Sequence, residues 1–250
     1  MQPHRSRYWL NNKRVDNPEQ FDAEVKTVCD LYEQAPYLAK QGVHVLSTDE
    51  KTGIQALQRA APTKPMQSGQ PALIEYEYIR HGTQALIANL DIATGKCFAP
   101  SIGDTRTEAD FMAHIAQTVA QDPDGTWIFI LDQLNTHKSE SLVRFVAKAC
   151  GLQEELGVKG KQGILQSMAS RAAFLRDETH RIRFVYTPKH TSWLNQIEIW
   201  FSILVRRLLK RGDFSSVNEL RECILTFIDY FNETMAKPFK WTYAGRPLQV

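Results

Sequence analysis

The hydrophobic and polar positions along the chain follow two periods, which predicts a mixture of helices and strands. Apolar side chains recur every three or four residues in 18–40, a spacing that predicts a helix ending before Pro36. The segment 43–49 is a short β-branched run that ends in a carboxylate. It predicts a strand that stops at Asp49.

A hairpin is predicted next, with strands at 72–79 and 84–92 and a turn around Gly82. The later strands are predicted at 96–99, 127–131 and 182–186. The later helices are predicted at 107–121, 139–149, 164–176, 194–210 and 217–231. Hairpin-linked strands followed by alternating strands and helices indicate an α/β protein with helices against a mixed sheet.

This order of elements fits the ribonuclease-H-like fold, in which a mixed five-stranded sheet is flanked by helices. The first and fourth strands of that fold lie side by side and parallel, so groups at their carboxyl ends meet. Asp49 ends the first predicted strand, and Asp132 follows the continuous apolar run 127–131. Glu198 lies one turn into the predicted helix 194–210, which would place a third carboxylate near the same pocket.

Composition narrows the class of protein. With 43% hydrophobic and 23% charged residues in 250, the chain has the composition of a folded domain. It contains no run of about 20 apolar residues, and its first residues lack the apolar core of a signal peptide, so we expect a cytoplasmic location and no membrane partner. The four cysteines are scattered without a CxxC pair, which excludes zinc-ribbon spacing and argues against a disulfide framework.

The net charge of +2 conceals an uneven distribution. Residues 1–125 hold 12 Lys/Arg and 16 Asp/Glu, whereas residues 126–250 hold 18 and 12. Basic charge concentrated in the second half is what a phosphate-facing surface needs, although solvated basic faces are common.

Three converging carboxylates suit phosphodiester cleavage. Two Mg²⁺ ions about 3.5–4 Å apart activate the attacking oxygen and stabilise the leaving one, and Mg²⁺ prefers oxygen ligands. We therefore expect two Mg²⁺ ions, with Mn²⁺ as a substitute, on Asp49, Asp132 and Glu198. A purely structural role for these acids is also open, since aspartates at strand ends often form turns or caps and a glutamate suits the start of a helix.

Five sequence blocks carry a resemblance to a known family. Asp132-Gln-Leu-Asn-Thr-His-Lys138 and Tyr186-Thr-Pro-Lys-His-Thr-Ser-Trp-Leu-Asn-Gln-Ile-Glu-Ile-Trp-Phe201 resemble the second and third acidic blocks of the insertion-sequence 630 family of bacterial transposases. This family is the prokaryotic branch of the mariner-like superfamily. The first acidic block resembles 48–57, and 78–83 and 238–243 also match.

The resemblance implies a DNA transposase whose catalytic, metal-binding acids are Asp49, Asp132 and Glu198. It implies cleavage of transposon ends, strand transfer into double-stranded target DNA at TA, a homodimer and a bacterial, nucleoid-associated location. Family members begin with helix-turn-helix modules. We therefore interpret 1–40 as a helical lead-in that remains after such a module. Either another reading frame supplies the module, or this chain is a truncated copy.

The same interpretation divides the remaining chain. Residues 41–212 form the catalytic domain, with an insertion near 151–180, and residues 213–250 form a helix and tail packed on it. Residues beside the acids are predicted to contact DNA. They are His137, Lys138, Lys189, His190, Trp193, Asn195, Arg206, Arg207 and Lys210. For several of these residues a structural role is the alternative: His137 suits the start of a helix, Trp193 suits packing, and the basic residues suit a solvated helix face. The nearby Asn135 suits a helix cap.

Two other functions remain open from the sequence. One is a ribonuclease-H-like nuclease that hydrolyses nucleic acid without strand transfer. The other is a non-catalytic, truncated relic that binds DNA or regulates a full-length transposase.

Overall fold

Five strands form one mixed sheet in the order β3-β2-β1-β4-β5. The computed structural model describes residues 17–189 and 191–243. Its strands are Val43–Arg59 (β1), Tyr78–Asp91 (β2), Cys97–Gly103 (β3), Thr126–Leu131 (β4) and Ile182–Tyr186 (β5). β1 is parallel to β4 and β4 to β5, whereas β1 with β2 and β2 with β3 are antiparallel. The predicted ribonuclease-H-like mixed sheet of five strands is confirmed.

Helices cover both faces of the sheet. They are Pro18–Ala39 (α1), Glu108–Val119 (α2), Glu140–Ala149 (α3), Met168–Arg176 (α4), Ile197–Leu204 (α5) and Val217–Thr234 (α6). Apolar side chains of α1, α5 and α6 form a core with one face of the sheet. Side chains of α2, α3 and α4 form a second core with the other face.

The burial of each strand explains its sequence. β4 is the central strand of the three parallel ones, and its apolar side chains alternate between the two cores, so the whole run is hydrophobic. In β1, Val45 joins the first core and Leu46 the second, because successive side chains of a strand point to opposite faces.

The first predicted helix is longer than expected. α1 continues through Pro36 to Ala39. Pro36 has no N–H to donate to the carbonyl of Tyr32, but it lies in the last turn, where few intrahelical bonds remain to be lost. Burial of Tyr32 and Ala35 against the sheet keeps the end of the helix in place.

Two predicted strand boundaries are wrong. β1 does not stop at Asp49 but runs on to Arg59, and the predicted hairpin within 72–92 does not form. Instead β2 runs unbroken through the supposed turn, with Arg80 beside Leu57. The second half of β1 offers ladder partners to 78–84, and this pairing outweighs the local turn preference. The connection between β1 and β2 is therefore 60–77, and it includes residues 72–77, which the sequence pattern predicts as strand.

The other elements agree with the sequence pattern. β4 and β5 lie where predicted, and α2, α3 and α6 do so within a few residues. The predicted helix 164–176 is divided into a 3₁₀ turn, Ile164–Gln166, and α4. Among the described residues, none of the helices combines the length and apolar character needed to cross a membrane.

The two-core packing yields a stability prediction. Phe129 of β4 is fully buried between aromatic neighbours, so Phe129→Ala should lower the free energy of unfolding by about 3–5 kcal/mol. Tyr76→Ala removes an aromatic side chain that is 89% exposed and should change it by less than about 0.5 kcal/mol. Urea denaturation of both variants measures the difference, and similar losses would contradict this description of the core.

Candidate active site

The parallel pairing of β1 with β4 brings two of the predicted acids together. The ladder runs from Val43 beside Thr126 to Ser47 beside Ile130. When this register is continued by two residues, Asp49 comes to lie beside Asp132. Neighbouring strands of a sheet are about 4.8 Å apart, so the two backbones are close at this point. Asp49 still pairs with β2 on its other side, so its backbone is fixed within the sheet.

A buried amide holds the carboxylate of Asp49. Asn195 Nδ2 donates to Asp49 Oδ2 at 3.1 Å and to the carbonyl of Thr48 at 3.1 Å. Ser47 Oγ donates to Asn195 Oδ1 and accepts the backbone N–H of Ile197 at 2.9 Å. These bonds join the strand that carries the first acid to the start of the helix that carries the third.

Few groups around Asp49 stabilise the negative charge of its carboxylate. Burial raises its pKa from 3.8 to about 7, and the nearby charges of Asp132, Glu50 and Glu198 act in the same direction. The hydrogen bond from the backbone N–H of Glu50 opposes this rise without cancelling it. A cation in the pocket would supply the missing compensation.

Asp132 lies in a different environment, although it is adjacent. Its Oδ1 is 2.9 Å from His137 Nδ1 and accepts the backbone N–H of Leu134 at 2.8 Å. Burial alone would raise the pKa of Asp132, but these two hydrogen bonds and the charge of His137 outweigh it and lower the pKa. Asp132 is therefore ionised at neutral pH.

His137 bridges two carboxyl groups. Its Nε2 lies 3.1 Å from Glu50 Oε2, while its Nδ1 contacts Asp132. Burial alone would lower the pKa of His137, but the hydrogen bonds to Asp132 and Glu50 raise it to about 9. Sequence reasoning missed Glu50. Its position after Asp49 in the first acidic block was visible, but no sequence pattern indicated its buried histidine partner.

Glu198 lies in the first turn of α5. The helix is shorter than predicted, because 3₁₀ turn Ser192–Leu194 precedes it and π turn Val205–Leu209 follows it. Glu198 is exposed and lines a pocket of about 270 Å³ together with Lys51 and Arg206. Its charge contributes to the raised pKa of Asp49, which places the three acids in one electrostatic environment.

Carboxylate oxygens are suitable ligands for a hard divalent cation, but the three acids do not converge on a single position. Among residues 17–189 and 191–243, no three His, Cys, Asp or Glu side chains form a ready ligand cluster. Mg²⁺ usually takes only one or two carboxylates, with waters and phosphate completing its shell. Asp49 and Asp132 meet that requirement, and the uncompensated charge of Asp49 favours a cation.

Burial contradicts three of the predicted DNA contacts. His137 and Asn195 are fully buried, and Lys138 is 9% exposed, with its Nζ over the ring of Tyr186. Their hydrogen bonds lie within the protein, so none of these side chains presents a surface to DNA. Five others are exposed as a contact requires: Lys189, Trp193, Arg206, Arg207 and Lys210. His190 lies outside the described residues.

The opposite environments of the two aspartates predict opposite effects on stability. The folded state binds more protons at Asp49 than the unfolded state between pH 3.8 and about 7. The free energy of unfolding therefore falls as the pH rises through this range, and the full penalty is present above it. In metal-free buffer at pH 8, Asp49→Asn should raise the free energy of unfolding by about 2–4 kcal/mol.

Asp132→Asn is the matched comparison. Because the pKa of Asp132 is lowered, its carboxylate contributes stability above pH 3.8 that is lost as the pH falls through the folded pKa. This variant should therefore be less stable than the wild type at pH 8. Urea denaturation at pH 5 and pH 8 measures both effects, and a loss of stability in Asp49→Asn at pH 8 would contradict the description of that site.

Two solved structures have a fold similar to that of this chain. The Mos1 mariner paired end complex with Mn aligns with a TM-score of 0.51 and 12% identity over 91% of this chain and 60% of that chain. The Mos1 transposase paired-end complex with left transposon end gives 0.50 and 13%, with the same coverage. This chain thus spans three fifths of those chains, and at such identity the likeness is one of fold.

Sequence comparison is more specific about the family. No curated protein matches the chain. The family model for DDE superfamily endonucleases matches residues 44–221, which include Asp49, Asp132 and Glu198. This match covers most of the chain, and the protein belongs to the DDE superfamily endonucleases.

Proposed function

We propose that this chain is the catalytic domain of a DNA transposase of the insertion-sequence 630 family. The observation that carries the proposal is the pairing of β1 with β4, whose register brings Asp49 beside Asp132. Glu198 of α5 lies near enough for its charge to act on Asp49. Membership in the DDE superfamily endonucleases and a fold like that of a mariner transposase support it.

Asp49, Asp132 and Glu198 would hold two Mg²⁺ ions, for which Mn²⁺ would substitute. When bound, such ions supply an activated attacking oxygen and stabilise the charge on the leaving oxygen. The protein orients the ligands in advance, since Asn195 fixes Asp49 and His137 fixes Asp132. A preformed site lowers the cost of reorganisation during the reaction.

The reaction would proceed in two displacements at phosphorus. Water attacks the phosphodiester at the end of the transposon, and the bond to the 3′ oxygen breaks, which leaves a 3′-hydroxyl. That hydroxyl then attacks a phosphodiester of the target strand, joins to it and expels a new 3′-hydroxyl. A TA target suits this step, because the TA step is easily kinked.

DNA would lie along the exposed basic residues beside the third acid. Arg206, Arg207 and Lys210 lie in and just after the π turn that follows α5, and Lys189 precedes the 3₁₀ turn on the other side. Trp193 is 50% exposed and offers an aromatic face to an unpaired base. Assembly as a homodimer and end recognition by a helix-turn-helix module belong to the same proposal.

A cleavage and strand-transfer assay tests the function. With a labelled transposon end, supercoiled target DNA and Mg²⁺ or Mn²⁺, the protein should form both nicked and joined products. Asp49→Asn, Asp132→Asn and Glu198→Gln should each lower both activities by about 10³-fold or more. Asp177→Asn, which changes an exposed aspartate outside the pocket, should retain them.

The products distinguish the competing functions. Nicking without joining would favour a nuclease that lacks strand transfer. DNA binding without any cleavage at all would favour a non-catalytic relic. Full activity in the Asp132→Asn variant would show that this carboxylate is not needed for catalysis and would contradict the proposed mechanism.

Phosphate contact by the basic residues predicts a salt effect. Replacement of Arg206, Arg207 and Lys210 by alanine should flatten the slope of log affinity against log salt by about 2–3. The matched control replaces the exposed Lys40, Lys96 and Lys148, which changes the net charge equally on other elements. Fluorescence anisotropy from 50 to 200 mM salt, about the range over which such contacts weaken, measures both. Equal slopes in the two variants would contradict the proposed surface.

A further inference from the structure

We infer that Glu50 is a positioning residue for Asp132 and acts on it through His137 from the opposite face of the sheet. The inference rests on the proposed function, because it concerns how Asp132 would present its carboxylate to a divalent cation. Glu50 itself would not touch the cation or the DNA. Its role would be to keep one oxygen of Asp132 directed at the pocket.

The first observation is a closed bridge of three side chains. Both carboxylate oxygens of Glu50 lie within hydrogen-bond reach of His137 Nε2, at 3.1 and 3.2 Å. His137 Nδ1 lies 2.9 Å from Asp132 Oδ1. The side chain of Glu50 is 1% exposed and that of His137 is 0% exposed, so water does not compete for these bonds.

The second observation is that Glu50 and Asp49 point to opposite faces. Asp49 turns toward Asn195 at the start of α5, whereas the His137 partner of Glu50 packs against Phe111 of α2. Successive residues of a strand alternate in this way. Glu50 therefore does not share the pocket of Asp49, and its contact with Asp132 runs through the imidazole.

The third observation is that the imidazole is itself held in place. Tyr186 donates its hydroxyl to the carbonyl of His137 at 2.8 Å, and Arg171 Nε donates to the carbonyl of Lys138 at 2.6 Å. Phe111 lies 4.3 Å from the imidazole, centroid to centroid. Arg171 belongs to α4, so the segment predicted as an insertion helps to fix the turn that carries His137.

These contacts determine which oxygen of Asp132 is available. Oδ1 is occupied by His137 Nδ1 and by the backbone N–H of Leu134. In the described part of the chain, no hydrogen bond ends on Oδ2. If Glu50 is removed, the imidazole loses its second anchor and Asp132 is free to rotate, so a cation would be bound more weakly.

The simpler explanation is that Glu50 and His137 only stabilise the fold. If that were their only role, replacing either residue would lower stability but would not change the affinity of the folded protein for a cation. The two roles are therefore separated by Mn²⁺ titration calorimetry on the full chain, with circular dichroism to verify that each variant is folded.

The informative pair of variants differs only in the hydrogen-bonding group. Glu50→Gln keeps an oxygen that accepts from His137, whereas Glu50→Met has similar length and offers no such acceptor. We expect Glu50→Met to weaken Mn²⁺ binding by about 10–100-fold and Glu50→Gln to stay within about 3-fold of the wild type. His114→Ala, which removes another buried histidine with one hydrogen bond to Ser101, controls for destabilisation and should bind Mn²⁺ normally.

Two results would overturn the inference. One is wild-type affinity in Glu50→Met, and the other is an equal loss in Glu50→Met and His114→Ala. Should Glu50→Met not fold, His137→Leu breaks the bridge from its other side and is measured with the same expectations. Asp132→Asn separates a failure of this inference from a failure of the proposed metal site. If that variant binds Mn²⁺ like the wild type, the metal site fails, and the inference fails with it.

Discussion

The parallel pairing of β1 with β4 is the constraint on which the candidate site depends. Its register sets Asp49 beside Asp132, although 82 residues separate them along the chain. A shift of one residue would turn the side chain of Asp49 to the other face, toward α2. The side chains of β4 oppose such a shift, because it would exchange Trp127 and Phe129 with the smaller Ile128 and Ile130 between the two cores and disrupt the packing of both.

Two neighbouring carboxylates repel each other, and Asp49 and Asp132 differ in the groups that stabilise their charges. Asp132 receives His137 and a backbone N–H, which lower its pKa. Asp49 receives an amide from Asn195 and a backbone N–H, but these do not balance burial and the neighbouring charges, so its pKa stays raised. The remaining imbalance is local and negative, which is the condition that favours a divalent cation at this edge of the sheet.

The sequence predicted the architecture well wherever packing and local pattern agree. β4 is an apolar run and β5 is apolar except for Arg183, and the structure places both strands as predicted. The β1–β2 region was mistaken because Gly82 and its neighbours resemble a turn, yet the long-range partners supplied by β1 hold them in the ladder. Local pattern contains no information about such distant partners.

The residues of the candidate site also depend on partners that are distant along the chain. The element pattern made Asp49, Asp132 and Glu198 candidates among many acids, and only the resemblance to the insertion-sequence 630 family singled them out. Burial was not predictable, so His137 and Asn195 were assigned to DNA although they hold the aspartates from within. Glu50 was passed over because its role depends on a partner 87 residues away.

Anomalous X-ray scattering at the manganese edge, from crystals of this protein soaked in Mn²⁺, would locate the metal ion relative to the three acids. The arrangement of the acids predicts a peak between the carboxylates of Asp49 and Asp132, on the side that faces Glu198. It also predicts that this peak disappears in Asp132→Asn crystals treated in the same way. A peak elsewhere in the wild type, with none between these two carboxylates, would contradict the account.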